Sequence, residues 1–432
     1  MPGVLKNITY EDPVVKYRGE KVISIFKKLE RGRVNIDMDL ATDIYYVFYL
    51  PFPALRNPNE ISAERSWHYT IIKEMLKSPD IAKTRVYTVA NSHSSTVIAV
   101  SFIQHLMREL SSTEGLEGES EERGREDVKQ MLQDISSEDL GKAVQKAAEM
   151  VAEESKVVSK LEKLSMGKLA GRGSYLDFER SSEEVLKLAR SIDVRKLLQL
   201  LEKLPRLGAE TKKRKEEFVK GELDGYELSS NVEKLVPTEL AYPDLYLYAK
   251  FAEGRLLSYK KVLPMSIGPL YVLLDKSGSM EGTKILWAKA TALALFMRAR
   301  AEKRPFYIRF FDSTPYSLVK VSMKTKPSEI LRLMEYIARV KSGGGTDITR
   351  AVISACDDIE GYRAKGASDI VLVTDGEDRV SDAIIKRMLK RASAKLVTVM
   401  IRGDNSDLRR LSSKYFRVIQ LSSKEILQVV EF

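Results

Sequence analysis

The stretch LYVLLDKSGSM, residues 270–280, decides the fold of the C-terminal part of the chain. Residues 270–274 are a short, uninterrupted apolar run, the pattern of a strand buried on both faces. The run stops at Asp275-Lys276-Ser277-Gly278-Ser279-Met280, where carboxylate and hydroxyl oxygens alternate along a loop that Gly278 lets bend tightly. Two further segments repeat this arrangement. DIVLVTDGE, residues 369–377, is an apolar run ending in Thr374-Asp375-Gly376-Glu377, and GGGTD, residues 343–347, opens a helical pattern.

Between and beyond them, apolar runs alternate with amphipathic segments. Strands are predicted at 270–274, 305–311, 369–374, 395–401 and 416–421, with an edge strand at 316–323. Helices are predicted at 284–301, 328–340, 348–359, 381–394 and 424–430. Strict alternation predicts an α/β fold, a Rossmann-like doubly wound, mostly parallel sheet with helices on both faces. Ligand sites in such sheets lie at the carboxyl ends of the strands, where the three oxygen-rich segments fall. Carboxylates and hydroxyls are hard donors that select Mg²⁺, Mn²⁺ or Ca²⁺ over softer metals.

The combination DKSGSM, GGGTD and TDG resembles the von Willebrand factor A (VWA) domain and its metal-ion-dependent adhesion site (MIDAS). The resemblance covers residues 266–432 and implies a metal site of Asp275, Ser277, Ser279, Thr346 and Asp375. It implies that Ser277 and Ser279 bind the ion through their hydroxyls. Asp275 and Asp375 would hold it directly or through water and orient the serines, while Thr346 would be a direct or a water-separated ligand. Mg²⁺ is the first expectation, with Mn²⁺ or Ca²⁺ as alternatives. The remaining position would be filled by an acidic residue of a protein partner, because Mg²⁺ keeps waters that a carboxylate can displace. Asp347 and Glu377 lie close in sequence and are read as capping or supporting residues.

Upstream, residues 1–265 read mainly as helix. The chain divides into a helical region 1–110, a flexible acidic linker 111–127 (SSTEGLEGESEERGRED), a second helical region 128–265 and the α/β domain 266–432. Apolar residues at three-to-four spacing mark 21–29, 61–76 and 97–110. A long helix is predicted over 139–163, with Leu140, Val144, Ala147, Val151, Val157 and Leu161 as its apolar stripe. IYYVFYLPFP, within 39–53, is too short to span a membrane and reads as core. GKLAGRG, 167–173, lacks the spacing of a phosphate-binding loop and reads as a turn. Ser182 is predicted to cap a helix running to about residue 204. The charge run 212–217 is placed on a helix with a solvated face.

PTELAYPDLYLYAKFAEGRLLSYK (237–260), followed by IGPLYVLLDKSGSMEGTK (267–284), resembles the VWA proteins of the CoxE and ViaA type. The resemblance implies a helical N-terminal region and a MoxR-type AAA+ ATPase partner. It implies a non-enzymatic adaptor acting in chaperone-like maturation or remodelling of protein complexes.

Composition bounds the rest. No apolar run approaches the roughly 20 residues of a membrane helix, and the N-terminal MPGVLKNITYEDP is not an apolar leader, so a cytosolic protein is expected. The single Cys356 excludes a disulfide framework and sits in an apolar stretch, AVISACDDI, as a small core residue. His68, His93 and His105 are too scattered for a zinc pair. The whole net charge of +10 falls in residues 266–432, and the helical part is balanced. That distribution disfavours an RNA-binding helical ring of the Ro type, the first alternative reading. The second, a Mg²⁺-dependent phosphohydrolase, lacks a P-loop, a nucleophile–histidine pair or a general base outside the ligand set.

Overall fold

The computed structural model describes residues 2–30, 36–62, 65–113, 136–166, 172–202, 215–264, 267–322, 325–361, 367–376 and 378–432. Residues 114–127 of the expected linker, 167–171 of the glycine-rich turn, 212–214 of the charge run, and Glu377 lie outside them. The chain forms two compact units, Met1–Gln199 with Lys324–Arg339, and Leu200–Met323 with Val340–Phe432.

The first unit is helical: α1 (Pro13–Leu29), α2 (Met38–Tyr49), α3 (Ser66–Lys77), α4 (Pro79–Thr88), α5 (Ser92–Thr113), α6 (Ser137–Met166), α7 (Arg172–Arg180), α8 (Ser182–Arg190) and the start of α9 (Ile192–Glu202). Asp12 opens α1 by accepting from the Val14 and Val15 amides, ahead of Pro13 at the first helical position. α6 is the spine, packing on α3, α4, α5 and α8. Its predicted stripe, Leu140 to Leu161, is buried throughout. Ile44–Phe48 of the aromatic run are buried in α2.

The 182–204 helix differs from expectation. Ser181 and Ser182 donate back to the carbonyls of Asp177 (3.0 Å) and Glu179 (2.5 Å) instead of capping α8. Ser191, extended at φ −69° and ψ 123°, ends α8 and separates it from α9. Residues 111–113, placed in the linker by sequence, complete the last turn of α5.

Buried charge is concentrated in this unit. Glu154 on α6 accepts from Ser101, His105 and Arg190. Glu179 meets Arg18 (2.9 Å) and Lys21 (2.8 Å). The three histidines each face a different carboxylate: Asp37 for His68, Glu179 for His93 and Glu154 for His105.

Asp43 on α2 is fully buried and accepts from the Tyr10 hydroxyl. Burial outweighs that bond and pushes its carboxyl up to about 7. A folded-state value above the unfolded one favours folding below the unfolded pKa. That contribution is lost as pH rises toward 7. Asp43→Asn keeps the shape and the acceptor but does not titrate. Wild-type stability, measured by urea unfolding relative to the variant, should therefore fall between pH 4 and 7 by on the order of a few kcal/mol. A pH-independent difference would exclude this account.

The second unit contains β1 (Lys215–Ser229), α10 (Asp244–Ala252), β2 (Leu256–Pro264), β3 (Ile267–Asp275), α11 (Thr283–Ala301), β4 (Phe306–Phe311) and β5 (Val319–Val321). After α12 (Pro327–Arg339), which belongs to the first unit, it continues with α13 (Ile348–Gly361), β6 (Ala367–Thr374), α14 (Asp382–Arg391), β7 (Ala394–Ile401), α15 (Ser406–Leu411), β8 (Lys414–Val418) and α16 (Ser423–Val430).

Two features correct the sequence reading. β1 and β2 pair antiparallel, with Tyr226 opposite Tyr259 and Leu228 opposite Leu257, so the region 128–265 is not helical throughout and the charge run enters a strand at Lys215. Helix α12, although inside 266–432, packs on α6, α7 and α8 of the helical unit.

The six-stranded sheet has the order β5-β4-β3-β6-β7-β8, with only β5 antiparallel. From β3 the chain winds outward to β4 and β5, then returns to β6 on the other side, so the order reverses beside β3. Alternate residues of a strand face opposite sides. Tyr271, Leu273, Ile370 and Leu372 join one core with α13 and α14 that also takes in Cys356. Burial pushes the Cys356 thiol up to about 12, as befits a core residue. Leu270, Val272 and Leu274 are buried on the opposite side. There α11 packs on β3, β4 and α16, and the Trp287 indole donates to the Ser422 carbonyl at 3.1 Å. No helix among the described residues is long and apolar enough to cross a membrane.

Candidate metal centre

The three oxygen-rich segments meet at the carboxyl edge of the sheet, at the reversal beside β3. Asp275 ends β3, and its side chain is fully buried. Its Oδ1 accepts the Ser277 amide at 2.8 Å, and its Oδ2 accepts the Thr374 hydroxyl at 2.5 Å. The first bond bends the chain so that Ser277 and Ser279 come to one side, their hydroxyl oxygens 3.1 Å apart. Ser279 Oγ then donates to Asp375 Oδ1 at 2.7 Å. A continuous row of oxygens thus runs from Ser277 through Ser279 to Asp375.

The third loop is stitched onto the first by backbone bonds: Gly278 N to Gly344 O at 3.1 Å, and Gly343 N to Lys276 O at 2.6 Å. Gly344 has φ +97°, and a Cβ there would stand 2.7 Å from Asp312 Oδ2, so conformation and space both require glycine. Thr346 reaches Gly376, its Cγ2 lying 3.1 Å from where a Cβ would be. This brings Thr346 beside the Asp375 loop. Asp347 caps α13 by accepting the Arg350 amide at 2.8 Å.

Asp312, not singled out from sequence, directly follows β4 and locks the site from the opposite flank. Its carboxylate takes the Thr314 amide (2.9 Å), the Tyr316 hydroxyl (2.6 Å) and the Lys276 ammonium (3.0 Å), and its carbonyl takes the Asp347 amide (3.0 Å). Burial works against ionisation, but these donors prevail and hold the carboxyl down at about 2. The only sequence signal for Asp312 was its place just past the end of a parallel strand.

The electrostatics of the centre call for positive charge. Burial pushes the Asp275 carboxyl above its ordinary value and the charge on Asp375 adds to the rise, against the bonds from Thr374 and Ser277. Lys284, in the first turn of α11, supplies a cation, with its ammonium 2.6 Å from Asp375 Oδ2 and 3.1 Å from the Ser279 carbonyl. The carboxylates of Asp275 and Asp375 and the hydroxyls of Ser277 and Ser279, with Thr346 beside the Asp375 loop, are hard donors of the kind that suits a divalent ion. Among the described residues, no group of three or more histidine, cysteine, aspartate or glutamate side chains is gathered to hold a metal ion.

A family described as "von Willebrand factor type A domain" matches residues 270–377, the span from β3 to the Asp375 loop. The C-terminal region contains a VWA domain. Over nearly its full length the chain is similar to the uncharacterized protein MJ0811 of Methanocaldococcus jannaschii, 26% identical and covering 98% of this chain and 99% of that one. The uncharacterized protein MJ0077 of the same organism is 29% identical over 62% of this chain and 69% of its own length. Among solved structures, a von Willebrand factor type A protein from Catenulispora acidiphila matches with 17% identity and a TM-score of 0.31, covering 40% of this chain and 43% of its own. An aerotolerance-related membrane protein from Bacteroides fragilis matches with 18% identity and a TM-score of 0.29, covering 38% of this chain and 98% of its own. The chain carries both a helical unit and a VWA domain.

Proposed function

We propose that the VWA domain binds a divalent cation, Mg²⁺ in the first place and Mn²⁺ or Ca²⁺ as alternatives, through Asp275, Ser277, Ser279, Thr346 and Asp375. Held by these residues, the cation would supply a point of attachment for a carboxylate of a protein partner. The observation that carries the proposal is the row of oxygens from Ser277 through Ser279 to Asp375, with Asp275 behind it and Thr346 beside it. Neutral hydroxyls next to the ion leave it electrophilic toward an incoming anion. VWA domains commonly mediate protein interactions, and this chain acts as a non-enzymatic adaptor in a cytosolic setting. The likeness of residues 237–260 and 267–284 to proteins of the CoxE and ViaA type supports a MoxR-type AAA+ ATPase as that partner. The adaptor then serves in maturation or remodelling of other protein complexes.

Affinity capture from an extract of its own cells tests this. An AAA+ ATPase identified by mass spectrometry should be retained in Mg²⁺ and lost with EDTA or with Asp275→Ala. Retention by the variant at the wild-type level would refute metal-dependent capture.

A further inference from the structure

We propose that Lys284 is a tethered competitor of the metal ion and sets the affinity of the site; the inference rests on the metal reading above. The ammonium is bonded to Asp375 Oδ2 at 2.6 Å, and Ser279 Oγ is bonded to Asp375 Oδ1 at 2.7 Å. Both oxygens of this carboxylate are therefore engaged by the chain's own donors. Lys284 also holds the Ser279 carbonyl at 3.1 Å, so one side chain pins two of the candidate ligands. The pair is shielded, with the Asp375 side chain 3% exposed and that of Lys284 24% exposed.

A divalent ion reaching Asp375 meets this positive charge at contact distance and must displace it. Two like charges a few ångströms apart repel far more strongly under partial burial than in bulk water. Lys284 can yield, because its ammonium is carried on a flexible four-carbon stem and can swing into solvent while α11 stays in place. Lys276 does not share this role. Its ammonium is committed to Asp312 (3.0 Å) and the Gly343 carbonyl (3.2 Å), and lies 4.5 Å from the centre of the Tyr316 ring. The Lys284 contact thus keeps Asp375 neutralised when metal is scarce, and the site loads only when free cation outcompetes it.

The test is Mn²⁺ binding to the full chain, followed by electron paramagnetic resonance, for wild type, Lys284→Met, Lys284→Arg and Asp275→Ala, with folding checked by circular dichroism. Lys284→Met should bind Mn²⁺ about tenfold more tightly or better, as removal of a close, partly buried like charge requires. Lys284→Arg should stay near wild type, and Asp275→Ala should bind no Mn²⁺. Unchanged or weaker binding by Lys284→Met, with Asp275→Ala inactive, overturns the role of Lys284 and leaves the metal reading standing. Wild-type binding by Asp275→Ala overturns the metal reading and this inference with it.

Discussion

Replacing Glu154 by alanine should unfold the helical unit under conditions where the wild type is fully folded. The carboxylate is buried and is the hub of a network: Oε1 accepts from His105 and Arg190, both at 3.0 Å, and Oε2 from Ser101. Arg190 extends to Gln104 Oε1 at 3.0 Å, and Gln104 reaches Glu30 at 2.6 Å. Three helices, α5, α6 and α8, therefore meet at one charge, and Glu30, the residue that caps the C-terminus of α1, joins the network through Gln104. Removing one member of a buried ion pair strands the others and costs about 3–5 kcal/mol, a large share of the stability of an ordinary domain. The pH dependence has a definite sign. Burial opposes ionisation, but His105, Arg190 and Ser101 outweigh it and hold Glu154 down at about 2. Its contribution is therefore present above the unfolded value near 4.5 and lost as pH falls toward 2. Urea unfolding of wild type and Glu154→Ala at neutral pH measures the loss, and a difference below about 1 kcal/mol would show that the network is dispensable.

A fragment of residues 266–432, the domain as its sequence delimits it, should associate or aggregate instead of folding as a stable monomer. It carries α12 but none of α6, α7 and α8, on which α12 packs. Ile330, Met334 and Ile337 recur at the spacing of one helical face and are buried in the full chain, as are Leu331 and Leu333. Ser328 N also loses its bond to Asp177 Oδ2, 2.9 Å long. Exposing such side chains forfeits about 1.5–3 kcal/mol each and leaves a contiguous apolar surface of the kind that drives association. Light scattering on a sizing column gives the answer. A monodisperse monomer with the full chain's unfolding midpoint for this domain would contradict the assignment of α12 to the helical unit.

The α/β part was legible because its pattern is redundant. Apolar runs of strand length, helices between them and oxygen-rich loops at three strand ends all require the same sheet. The chain brings Asp275, Ser277, Ser279 and Asp375 into hydrogen-bonded reach at the edge where the sequence placed them. Other features carried no such signal. β1 is rich in charge and has few apolar residues; only Tyr226 and Leu228, alternating with Glu227 and Ser229, show the period of a strand. The pattern of α12 is that of any surface helix, and periodicity states which face is covered but not by what. Ser191 breaks a helix through backbone torsion with no proline or glycine to announce it. Lys284 at the start of a helix reads as a solvated cation until Asp375, 91 positions later, is found against it.

The most direct test of the account is whether the full chain binds one divalent ion through these residues. Mn²⁺ titrated into the wild type should occupy a single site from which Mg²⁺ displaces it, and Asp275→Ala, still folded, should leave the Mn²⁺ signal that of the free ion. No saturable binding by the wild type, or undiminished binding by Asp275→Ala, would contradict it.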